Sequence, residues 1–206
     1  MSLVLEKLST YVSDKRIFEP LSFTIAPGEI VTVMGPSGSG KTTLLSAVAG
    51  DLPERLYAVG DVILNERNLK HIAPERRRIG RLFQDDLLFP HLTVGENLLF
   101  GMARGPRAER EAEMKAALLD LELQGFENRA PHTLSGGQRA RVALMRALLA
   151  KPDAMLLDEP FSKLDKTLRA TIRDYTFAHL RARKIPTLLV THDPEDVPQD
   201  GRVIYV

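Results

Sequence analysis

Apolar and polar residues alternate over Leu3–Val12 and again over Leu21–Ile25, the spacing of strands with one covered face. Ala26-Pro27-Gly28-Glu29 reads as a turn, and Ile30–Met34 as a short buried strand rich in β-branched residues. A glycine-rich loop fills 35–40, and Lys41–Ala49 reads as a helix stopped by Gly50. Val59–Asn65 predicts a further strand. From about residue 85 to Leu149 the period changes. Arg107–Leu121 and Gly137–Leu149 carry apolar residues three and four apart, so they read as helices. In the second of these, Val142, Leu144, Met145 and Leu148 form the core-facing side, and Gln138, Arg139, Arg141 and Arg146 the polar side. Strand patterns return at Ala154–Leu157 and Thr187–Thr191. Strands interleaved with helices predict an α/β fold with a mainly parallel core sheet, into which the central helical block is inserted.

Composition narrows this picture. The chain has 206 residues, enough for one large domain. Its 28 basic and 27 acidic side chains nearly cancel, which argues against a general nucleic-acid binder. There are no cysteines, so disulfides and thiolate metal sites are excluded. The N-terminus lacks a basic leader followed by an apolar block, and no apolar run approaches the ~20 residues of a spanning helix. Work at a membrane is therefore expected to go through a partner.

Three short stretches carry chemistry. Gly35-Pro36-Ser37-Gly38-Ser39-Gly40-Lys41-Thr42 fits G-x-x-x-x-G-K-[ST], between a strand and a helix as the motif requires. Glycines let the backbone curl so that N–H groups surround phosphate oxygens, and the helix brings its positive end. Lys41 adds a point charge near the β/γ-phosphates, and Thr42 can ligate Mg²⁺. The second stretch is Ala154–Leu157 running into Asp158 and Glu159. On a buried strand the first acid emerges at the carboxyl edge of the sheet, where Asp158 can hold Mg²⁺. Glu159 can orient or deprotonate an attacking water. The third is Leu134-Ser135-Gly136-Gly137-Gln138, a turn opening a helix. Gly136 and Gly137 can offer backbone N–H groups and Ser135 a hydroxyl, a site shaped for an anion.

With these motifs in this order, the chain resembles the ATP-binding cassette (ABC) ATPases over nearly its whole length. Leu134–Gln138 matches that family's signature, and residues 76–101 look most like ATPase subunits of bacterial importers. The resemblance implies a P-loop NTPase with an N-terminal antiparallel β subdomain and an inserted α-helical subdomain. Residues 1–84 and 151–206 would form the RecA-like core with the β subdomain, and about 85–150 the helical signature subdomain, within one domain spanning 1–206. It implies ATP and Mg²⁺, with Thr43 added to the ATP-binding residues Gly35–Thr42 and Tyr11 stacking on adenine. It makes Glu159, His192 and Gln84 catalytic, His192 touching the γ-phosphate, and it makes Thr42, Gln84 and Asp158 the metal residues. Ser135, Gly136, Gly137, Gln138 and Asp165 would contact ATP bound to a second copy, in a head-to-tail dimer that sandwiches two ATPs.

The implied partners are separate transmembrane permease subunits and an extracytoplasmic solute-binding protein, with no nucleic acid. The implied location is the cytoplasmic face of the inner membrane. Phe83, Gln84 and 85–89 would line the groove for a permease helix. Two departures stand out. Lys163 occupies a position where the family more often has Ala or Asn, and the chain stops at Val206 where many importer ATPases continue into a regulatory domain. Regulation of that kind is expected to be absent. The cluster Arg76–Arg78 with Arg81 reads as a solvated face, or else as contact with a partner or headgroups. His71, His91, His132 and His179 read as structural or surface residues. Two rival readings are an ABC ATPase acting on nucleic acid or ribosomes, and a regulatory module that binds nucleotide without hydrolysis. The near-neutral charge and the single cassette oppose the first; Glu159 and His192 oppose the second.

Overall fold

A computed structural model describes residues 1–206, apart from the side chain of Thr167. The chain forms two compact units: residues 1–81, 153–159 and 177–206, and residues 82–152 and 160–176.

The first unit holds two sheets. Strands β1 (Leu3–Val12), β2 (Lys15–Arg16), β3 (Leu21–Ile25), β5 (Leu56–Leu64) and β6 (Arg67–Asn68) form the antiparallel one, in which β1 pairs with β2, β3 and β5. The second sheet has the order β10-β4-β9-β8-β7, built from β4 (Ile30–Met34), β7 (Ile79–Leu82), β8 (Ala154–Asp158), β9 (Thr187–Thr191) and β10 (Arg202–Tyr205). Its β10/β4, β4/β9 and β8/β9 ladders are parallel. Every residue of β4, β8 and β9 is buried, which explains why these strands read as continuous apolar runs. The expected strand Val59–Asn65 is present but runs from Leu56 to Leu64.

Helix α1 (Lys41–Ala49) packs on β1 and β5 of one sheet and on β8 and β9 of the other. Leu44, Leu45 and Val48 thereby join the core with Leu5, Val31, Leu156 and Val190. Burying each such side chain stabilises by about 1.5–3 kcal/mol. β1 bulges between Leu5 and Leu8, with Lys7 at φ 49°. Opposite the bulge, Gly60 has φ 101°, and a Cβ there would lie 2.4 Å from the Lys7 carbonyl oxygen.

The basic cluster is divided: Arg76 and Arg78 are exposed, whereas Arg77 and Arg81 are drawn inside. Arg77 is only 9% exposed, and its guanidinium donates to the carbonyls of Val48 (2.8 Å) and Ile72 (2.8 Å). It closes the C-terminal end of α1, where carbonyls lack intrahelical partners and a cation suits the dipole. Gly50, the residue after that helix, is held at φ 82° with Arg77 against its Cα, so a Cβ would meet the guanidinium at 2.4 Å. Burial pulls the Arg77 pKa below its ordinary value. Arg78 pairs with Asp153 at 2.8 Å, and Arg81 turns towards the phosphate-loop region.

The second unit is helical. It contains α2 (Val94–Gly101), α3 (Arg107–Asp120), α4 (Gly136–Leu149) and the first part of α5 (Lys166–Ala182). α2 packs on α3 and α4, and it approaches α4 so closely that a Cβ on Gly101 would sit 2.2 Å from the Arg146 carbonyl oxygen. Residues 160–176 belong with this unit rather than with the core, where the sequence had put them. The reason is packing: Gly137 of α4 lies against Leu168, and a Cβ there would meet Leu168 at 2.3 Å. Asn97, fully buried on α2, accepts from the Phe89 N–H (2.9 Å) and donates to the Thr93 carbonyl (2.9 Å). It pins the segment following β7 to α2.

Candidate active site

Met34, the last residue of β4, delivers the chain into the 35–40 loop, and Gly40 hands it to α1. Gly38 and Gly40 have φ 84° and 95°, values that glycine adopts without strain. A Cβ on Gly35 would lie 2.4 Å from the Val206 carbonyl oxygen, so this turn too has no room for a side chain. The cleft above the loop has a volume of about 280 Å³ and is lined by Ile17, Ser37, Gly38, Gly40, Lys41, Thr42, Thr43 and Glu159. Lys41 is buried, with Nζ donating to the carbonyls of Gly35 and Pro36 at 2.8 Å each. The lysine thus rests on its own loop with its charge in the cleft. Ser39 Oγ is buried and finds no hydrogen-bond partner among the described residues. The cleft lined by Lys41, Thr42, Thr43 and the loop glycines, at the N-terminal end of α1, fits a bound anion.

Thr42 Oγ1 donates to Asp158 Oδ1 at 3.1 Å, joining the start of α1 to the end of β8. The next residue, Glu159, has φ 45°, an uncommon conformation for a residue with a side chain. Its N–H is still held by the Val190 carbonyl at 3.0 Å. Strain of this kind persists where the surroundings over-determine it. Here it accompanies a carboxylate in the cleft lining. Glu159 Oε1 lies 3.0 Å from His192 Nδ1. The segment carrying His192 is set in turn by Thr191, whose hydroxyl donates to buried Asp196 (2.9 Å) and accepts from the Asp193 N–H (3.1 Å). A carboxylate held by an imidazole beside a phosphate cleft can take a proton from water.

Tyr11 stands outside this lining. It pairs with Tyr57 across β1 and β5, and their rings stack at 5.3 Å with 11° between planes. Gln84 belongs to the second unit, where it lines a cavity of about 330 Å³ with Phe83, Asp85, Asp86, Gly136 and Arg139, among others.

The signature turn lies on the same unit, and its details were readable in the sequence. Ser135 Oγ accepts from the Gln138 N–H (3.3 Å), and Gln138 Oε1 accepts from the Ser135 N–H (2.9 Å). This capping box, S-x-x-Q, starts α4 at Gly136, one residue earlier than expected. The N–H groups of Gly136 and Gly137 stand at the first turn, where no intrahelical acceptor exists. Asp165 caps α5 by accepting from the Leu168 N–H at 3.1 Å. Lys163 ion-pairs with Asp85, an exposed contact of small energetic weight. Arg139 was read only as a polar-face residue; it pairs with Asp86 at 2.8 Å and so ties α4 to the segment after β7.

The first unit therefore brings the 35–40 loop, Lys41 and the Thr42–Asp158 contact together with the Glu159–His192 pair. Residues 18–162 match the ABC transporter family. The chain is 45% identical over 203 residues to the uncharacterized ABC transporter ATP-binding protein YnjD of Escherichia coli K12, a match covering 98% of this chain and 94% of that one. It is 42% identical to the Fe(3+) ions import ATP-binding protein FbpC of the same organism over 87% of this chain and 51% of that one. It is 39% identical to the spermidine/putrescine import ATP-binding protein PotA of Marinobacter nauticus over 99% of this chain and 55% of that one. The chain thus spans nearly all of the first relative and about half the length of the other two. It belongs to the ABC transporter family, among the subunits that bind and hydrolyse ATP.

Proposed function

We propose that this chain is the ATPase subunit of a bacterial ABC importer. It works as a head-to-tail dimer with a second copy of itself, at the cytoplasmic face of the inner membrane. Its partners are separate permease subunits and an extracytoplasmic solute-binding protein. The observation that carries this reading is the join of Thr42 to Asp158 beside the Glu159–His192 pair, in a chain similar to ATPases named for import of iron, polyamines and sulfate. No helix among the described residues is long and apolar enough to cross a membrane, consistent with a separate permease.

In this reading the 35–40 loop, Lys41, Thr42 and Thr43 hold the triphosphate, and Tyr11 offers an aromatic face to the adenine. Thr42 and Asp158 would hold Mg²⁺, which would supply positive charge against the phosphate. Glu159 accepts the proton of the attacking water. His192 keeps Glu159 in place and reaches the γ-phosphate. Ser135, Gly136 and Gly137 of the partner copy add donors to the γ-phosphate, with Gln138 capping the helix behind them, and Asp165 lies in the loop that crosses to the partner. Residues 83–89 receive a permease helix; the Arg139–Asp86 pair carries its motion to α4, and the Asn97 bonds to Phe89 carry it to α2.

The test is ATP turnover with and without the permease subunits that co-purify with the chain, reconstituted in lipid vesicles with their binding protein. Turnover is expected to rise several-fold with the permease, together with solute accumulation. Turnover indifferent to the permease, with ribosomes or DNA co-purifying, contradicts the importer reading.

A further inference from the structure

Asp158 is engaged on both oxygens. Oδ1 receives the Thr42 hydroxyl, and Oδ2 lies 3.0 Å from Arg81 Nη2. Both side chains of this ion pair are only 10% exposed. Arg81 does not reach Asp158 as a loose surface cation. Its other guanidinium nitrogen, Nη1, donates to Ser46 Oγ (3.0 Å) and Asp51 Oδ2 (3.1 Å), at the far end of the helix that begins with Lys41 and Thr42. A planar fork with fixed donors suits such a three-way bridge, and a guanidinium keeps its charge at any physiological pH. Thus the acid expected to hold a divalent cation already has a permanent monovalent one fixed to it.

We propose that Arg81 is a positioning residue that acts as a resident counter-cation to Asp158. It orients the carboxylate towards Thr42 and opposes divalent metal at that oxygen pair. Two consequences follow from charge alone. In the nucleotide-free state Asp158 stays paired and ordered without metal. In the loaded state repulsion from Arg81 weakens the protein's own hold on Mg²⁺, so the metal depends on the phosphate oxygens and leaves with the products. In the sequence Arg81 stands with Arg76–Arg78 as a solvated face or a contact for a partner or headgroups; its burial and its bonds to Ser46, Asp51 and Asp158 set it apart from them.

This inference rests on the reading of Asp158 as the metal acid, and the experiment separates the two. Mn²⁺ binding to protein saturated with AMP-PNP is followed by the EPR signal of free Mn²⁺, for the native chain, Arg81→Met and Asp158→Asn. Arg81→Met is expected to bind Mn²⁺ about tenfold more tightly, the scale of one partly screened charge contact. Asp158→Asn is expected to bind it more weakly. A merely structural role for Arg81 predicts loss of metal on substitution, never gain. Equal or weaker Mn²⁺ binding by Arg81→Met, with Asp158→Asn impaired, overturns the counter-cation while leaving the metal acid intact. Unchanged binding by Asp158→Asn overturns both. Should Arg81→Met fail to fold, Arg81→Gln, which can keep the bond to Ser46 without the charge, carries the same comparison and the same outcomes.

Discussion

Glu159→Gln is expected to lower ATP turnover by about 10²–10⁴-fold, the contribution of a general base, while leaving ATP binding unchanged. The amide has the shape of the carboxylate but cannot take a proton from water. Its geometry survives because an amide can still hydrogen bond His192, and because the backbone of residue 159 is fixed by the Val190 carbonyl. Single-turnover hydrolysis and equilibrium ATP binding, measured on one preparation, separate the two effects. Native-like turnover by Glu159→Gln removes Glu159 from the chemistry. Lost binding with intact turnover per bound nucleotide makes it a binding residue instead.

Gly136→Val is expected to lower turnover about 10²-fold, because its side chain stands on the open face of the turn and keeps the N–H donors from a developing oxyanion, with melting temperature and ATP binding preserved. The two signature glycines are physically unlike. A Cβ at Gly136 meets nothing nearer than Arg139 at 4.0 Å, whereas one at Gly137 would meet Leu168 at 2.3 Å. Substituting Gly136 therefore changes the outer face of the turn without disturbing its own unit. Gly137→Val instead forces α4 from α5 and is expected to destabilise the helical unit by about 1–3 kcal/mol, as overpacking does. A Gly136→Val protein that loses ATP binding as much as turnover puts the turn in the same chain's nucleotide site and ends the trans assignment.

The sequence was most legible where one local pattern decided the outcome. Ile30–Met34 and Thr187–Thr191 are buried strands at the expected positions, and Gly50 stops α1 as read. α5 went unread although Leu168, Ile172, Thr176 and Leu180 recur at four-residue spacing, three of them buried, because charged residues crowd between them. The S-x-x-Q box at Ser135 and the T-x-x-E box at Thr93 were also there to be read, since a cap needs only neighbours in sequence. Arg77 and Arg81 were not. Their partners lie 29 or more residues away, except for the Ile72 carbonyl, and nothing local distinguishes a buried arginine from an exposed one. Asp85 and Lys163 illustrate the same limit across 78 residues.

The central claim is that the signature turn serves the nucleotide of another copy. The chain has no cysteines, so a pair can be introduced cleanly. With Ser37→Cys in the phosphate loop and Ser135→Cys in the signature, on the Glu159→Gln background, oxidation is followed on a non-reducing gel. A covalent dimer that forms with ATP and not without it is the predicted result; a product that remains monomeric at every ATP concentration contradicts it.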